Sequence, residues 1–64
     1  MMYGALEVKN VPEAVENSFE DGFVVVRRCD DGGKVELWYY GIYTDREKAY
    51  EVAYEIGNGI VLEV

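Results

Sequence analysis

The chain has 64 residues, with 6 Lys or Arg against 13 Asp or Glu and a net charge of -7. Phosphate backbones and anionic headgroups repel such a surface, so direct binding to nucleic acid or to a membrane is not expected. Cys29 is the only cysteine and there is no histidine, which excludes an internal disulfide and leaves no transition-metal site in view.

A chain this short makes one domain, residues 1–64, and buries only ~60% of the surface its unfolded form exposes. Without disulfide or metal, it needs good packing or oligomerisation. A hydrophobic content of 50% permits packing and argues against disorder. No apolar run reaches the ~18 residues of a membrane span. The start, Met1-Met2-Tyr3-Gly4-Ala5, lacks the basic and apolar regions of a signal peptide. With one free thiol, the expected location is the reducing cytoplasm.

Tyr3–Val8 reads as a short strand with Leu6 and Val8 on one face. Asn10-Val11-Pro12-Glu13 reads as a helix start, with Asn10 as cap and Pro12 in the first turn. Apolar residues at Val11, Ala14, Val15 and Phe19 keep helical spacing, and the helix should end near Asp21-Gly22. Phe23–Cys29 is a strand, because three consecutive valines are β-branched and fit poorly in a helix. Asp30-Asp31-Gly32-Gly33 is the turn of a hairpin, and Lys34–Tyr43 is the returning strand, with Gly41 marking a bulge or close approach. Thr44-Asp45-Arg46-Glu47 has the form of a capping box. The helix that follows carries Ala49, Val52, Ala53 and Ile56 on one face and should stop at Gly57. After Asn58-Gly59, Ile60–Val64 is a final strand.

The element order is βαββαβ. An α+β fold with a four-stranded antiparallel sheet and two helices on one face satisfies it, and this resembles the ferredoxin-like arrangement. If the first helix is a loop, a β-hairpin–helix–strand core remains. The resemblance concerns the fold alone, and that fold hosts many unrelated functions.

Centring the hairpin turn on Asp31-Gly32 pairs Cys29 with Lys34, Arg27 with Glu36 and Val25 with Trp38. One face of the hairpin then carries Val24, Val26, Leu37 and Tyr39, and the other carries Phe23, Val25, Trp38 and Tyr40. Small residues at Ala49 and Ala53 let the helix sit close, and it is expected on the Val24 face. Phe23, Val25, Trp38 and Tyr40 would then face solvent as a contiguous apolar patch, which marks an interface. Self-association about a two-fold axis is the simplest use of it.

Catalytic chemistry finds little support. Ser18, Thr44 and Cys29 are the possible nucleophiles, and none has a histidine to activate it. Cys29 follows Arg27 and Arg28, but Asp30 and Asp31 offset that positive charge, so it reads as a structural or edge-exposed thiol. Glu47, Glu51 and Glu55 form a helical stripe that reads as a solvated face. The Asp30–Gly33 turn lacks the ligand spacing of a calcium loop, and no phosphate-binding glycine motif is present. Tyr50 and Tyr54 lie one helical turn apart beside the core stripe.

The expectation is a non-enzymatic interaction or assembly module without cofactor, partnered by a second copy or another protein through Phe23, Val25, Trp38 and Tyr40. Two other readings fit an acidic chain of this size: an inhibitor that imitates nucleic acid to block a basic protein, and a small-ligand sensor.

Overall fold

Three consecutive valines, Val24, Val25 and Val26, are fully buried. Successive strand residues point to opposite faces, so the strand that carries them is covered on both sides. A computed structural model describes residues 2–3, 6–16 and 22–63 of the chain. Its elements are β1 (Met2–Tyr3), β2 (Leu6–Lys9), α1 (Glu13–Glu16), β3 (Phe23–Asp31), β4 (Lys34–Tyr43), α2 (Arg46–Glu55) and β5 (Gly59–Leu62).

The fold is α+β, with an open mixed sheet of four main strands extended at one edge by the two-residue β1, in the order β1-β2-β4-β3-β5. β4 and β5 flank β3 in antiparallel fashion, while β2 lies parallel to β4. This corrects the antiparallel, ferredoxin-like expectation. β2 points the same way as β4, and the last strand sits beside β3 at the opposite edge from β2. Lys9, at the end of β2, lies level with Trp38, and β3 begins level with Tyr43 at the end of β4. β2 therefore ends pointing toward the end of the sheet at which β3 begins, and joining the two requires no return crossing.

The hairpin turn is shorter than expected. Asp31 pairs with Lys34, so Gly32 and Gly33 alone make the loop. Both have positive φ, 58° and 86°, the condition for a two-residue turn whose twist matches its strands. The register therefore moves by two residues. Arg27 opposes Trp38, Cys29 opposes Glu36, and Val25 opposes Gly41 beyond a bulge between Val25 and Val26. A shift of two preserves the faces, so Val24, Val26, Leu37 and Tyr39 still share one side.

The helix placement is reversed. α2 packs Ala49, Val52 and Ala53 on Val25, with Phe23, Tyr43, Ile56 and Val61 around them. The Val24 face instead joins Val8, Val26, Leu37 and Leu62, with Val11, Tyr39, Ile42 and Ile60 against them. The crossover through α2 joins β4 to β5 with β3 between them, which sets the helix over β3 and β5. Gly59 permits the contact, because a Cβ there would lie 2.5 Å from the Ala53 Cα and carbonyl oxygen. Val11, just before α1, packs on the other face, so the chain flanking the sheet is divided between its two sides.

Local boundaries also differ. Asp45, not Thr44, caps α2, its carboxylate accepting from the Glu47 N–H at 2.9 Å. Asn10 has φ +62°, outside the extended backbone of a helix cap. Leu6–Lys9 pairs back on Met2–Tyr3, where one strand over Tyr3–Val8 was expected. Gly4, Ala5, Phe19, Asp21 and Val64, to which expectations were attached, lie outside the described residues.

Candidate protein-interaction surface

α2 stands on β3 and β5, reaches β4 only at its Tyr43 end, and leaves the Lys9 and Trp38 part of β2 and β4 on the same sheet face exposed. Lys9, Trp38, Arg27 and Gly59 form one row across four strands on this face. At the β5 end of the row the helix rests on Gly59. At the other end Trp38 is 40% exposed, and Tyr40, at the bulge, is 50% exposed.

Trp38 does not project freely. Its indole N–H donates to the Glu36 carboxylate at 3.2 Å, and Lys9 Nζ donates to the same oxygen at 3.0 Å. The ammonium also stands 5.7 Å from the centre of the indole ring. Lys9 comes from β2, while Glu36 and Trp38 share one face of β4 at i, i+2. The hydrogen bond from Lys9, supported by charge on Lys9 and Lys34 and by the indole N–H, holds the Glu36 carboxyl below its ordinary range. Solvent-exposed pairs of this kind add little to stability. Their larger effect is to fix the ring in one orientation, which lowers the entropy lost when a partner covers it.

The four residues expected to form one exposed patch are thus divided. Val25 is buried under α2 and Phe23 is half-buried beside it, while Trp38 and Tyr40 remain accessible. Lys9 had no sequence signal, because its pairing with β4 is parallel and remote in the chain. The i, i+2 relation of Glu36 and Trp38 was available from strand alternation alone.

The far flank of α2 is tied down. Arg46 Nε meets Glu63 Oε1 at 3.1 Å, and the Tyr50 hydroxyl donates to Glu63 Oε2 at 2.9 Å. Tyr54 is 88% exposed, and Glu47, Glu51 and Glu55 are all exposed on the helix. On the opposite sheet face, Leu6, Arg28, Val35, Leu37 and Ile60 line a shallow, mainly apolar groove of about 410 Å³.

The possible nucleophiles are dispersed. Cys29 is half-buried on β3 opposite Glu36, Thr44 is exposed before α2, and Ser18 lies outside the described residues. Among the described residues no cluster of Cys, Asp and Glu is arranged to hold a metal ion, and no helix is long and apolar enough to cross a membrane. Comparison with models of protein families, with curated proteins and with solved structures finds no match.

Proposed function

We propose that this protein is a small non-enzymatic interaction module that self-associates through the open half of its sheet around Trp38 and Tyr40. The observation that carries this reading is Trp38 itself: a large aromatic, 40% exposed, oriented by Lys9 and Glu36 on a face the chain's own helix leaves uncovered. Aromatic residues fixed in one rotamer are the usual anchors of protein interfaces. A second copy presents the same surface, and two-fold pairing covers both at once. Light scattering and sedimentation across a concentration series test the reading. A dimer is expected at high micromolar concentration, and Trp38→Ala should yield a folded monomer. A wild-type chain that stays monomeric there overturns it.

The small-ligand reading keeps one supporting observation, the apolar groove with Arg28 on its wall. Arg28 is shared with Asp30 at 3.6 Å. A medium-chain carboxylate suits such a wall, its tail against Leu6, Val35 and Ile60. Titration of octanoate followed by NMR shifts of the Val35 and Ile60 methyls tests it, and unmoved methyls at millimolar ligand reject it.

A further inference from the structure

The surface left open beside α2 is cationic, and two of its three cations have no ion-pair partner among the described residues. Lys34, Glu36 and Trp38 alternate on one side of β4, with Arg27 opposite Trp38 and Lys9 on its other flank. Lys9, Arg27 and Lys34 are three of the six basic residues of a chain of net charge -7. Lys9 is held by Glu36. Among the described residues, neither Arg27 nor Lys34 has an ion-pair partner within 4.0 Å.

The outer side of α2 carries the opposite charge. Ala49, Val52 and Ala53 face the sheet. Glu47, Glu51 and Glu55 recur at every fourth position on the exposed side. Of the cations on the helix, Arg46 is engaged by Glu63, and Lys48 reaches only Glu51, at 4.0 Å. Glu47 and Glu55 have no ion-pair partner among the described residues.

The shape matches this division of charge. The helix stands as a ridge over β3 and β5, and the β2–β4 half beside it is the lower step. A two-fold axis that turns one copy onto the other sets each ridge into the other's step. One layer of two helices then lies between two sheets, and every contact occurs twice.

We propose that the element covering Trp38 is the α2 of a second copy, with its Glu47–Glu51–Glu55 face set against Lys9, Arg27 and Lys34. This inference rests on the self-association reading above and names the partner surface. The exposed aromatics supply the apolar centre of the contact, and the charges around them set its register.

Charge reversal tests it, because local and global electrostatics then predict opposite signs. Glu51→Lys with Glu55→Lys makes each chain four charges less negative than -7, which lowers the general repulsion between copies. If only net charge matters, association strengthens. If the helix meets Arg27 and Lys34, like charges oppose one another in every contact, and association weakens about tenfold or more. Arg27→Glu with Lys34→Glu should weaken it similarly. An equimolar mixture of the two doubly substituted chains restores attraction at both contacts and should form a 1:1 heterodimer. Circular dichroism and thermal unfolding check that both chains fold, and Glu51→Gln with Glu55→Gln provides a milder second variant with a smaller loss in the same direction. If Trp38→Ala abolishes the dimer while the reversals leave its Kd unchanged, the α2 contact is overturned and self-association stands. A monomeric wild-type chain overturns both.

Discussion

Lys9 and Trp38 are direct neighbours across the parallel pair of β2 and β4, with the Lys9 ammonium 5.7 Å from the centre of the indole ring. Both donate to one oxygen of Glu36. The ionised form of that carboxyl is therefore favoured, and its pKa lies below the reference value of 4.5. A group with a depressed folded pKa adds stability that is present above its unfolded pKa and lost as the pH falls through the folded one. Trp38 is the single tryptophan, so its emission reports the event locally. The emission should change with a midpoint below 4.5, and Lys9→Gln should raise that midpoint toward the ordinary value. A midpoint indifferent to Lys9 would sink the account of the site.

The contact of Gly59 with Ala53 makes a second prediction. A methyl group at 59 would meet backbone atoms of α2 at 2.5 Å, and backbone cannot rotate away as a long side chain can. Gly59→Ala should destabilise the fold by about 2 kcal/mol, roughly 10 °C in Tm for a domain of this size. Thermal unfolding measures it. Gly32→Ala belongs to a separate category, because space there is open and only the positive φ penalises the change.

The cap of α2 can be assigned by a pair of substitutions. Asp45→Ala removes the acceptor of the Glu47 N–H and should cost about 1 kcal/mol. Thr44→Ala removes an exposed side chain outside that hydrogen bond and should stay within about 0.5 kcal/mol. Urea unfolding resolves the difference, and the opposite ranking would return the cap to Thr44.

Val25 and Trp38, expected on one exposed face, should behave as different kinds of residue. Val25→Ala opens a cavity under α2 and should cost about 2–3 kcal/mol of folding stability, without a specific effect on association. Trp38→Ala should leave the monomer folded and abolish the dimer. Unfolding curves and sedimentation on the same two proteins separate the effects. Equal behaviour of the two variants would mean that the open half of the sheet is not a distinct surface.

Much of the local structure was legible because it depends on neighbours in the chain. β-Branched valines made β3 visible, alternation made β4 visible, and the Ala49/Val52/Ala53 spacing made α2 visible with Gly57 close to its end. On the turn side of the bulge the division of β3 and β4 into faces survived a wrong register, since the error was two residues and side chains alternate with a period of two, whereas past Tyr40 the alternation reverses and Ile42, not Gly41 or Tyr43, joins the Val24 face. The turn itself was misread because Asp-Gly and Gly-Gly both satisfy a tight turn, and only strand pairing chooses between them.

What lay beyond the sequence depends on partners remote in the chain. The parallel pairing of β2 with β4 brings Lys9 to Glu36 and Trp38, and no local pattern encodes it. Both hairpin faces are apolar over most of their length, so composition could not say which one α2 would cover. Placing β5 beside β3, with Gly59 admitting Ala53, settled that choice and buried Val25. The hairpin was thus evident from its residues alone, whereas the reduction of its expected patch to Trp38 and Tyr40 came from how the sheet was assembled. Alternation is a property of one strand, but the covering of a face is a property of the whole packed layer.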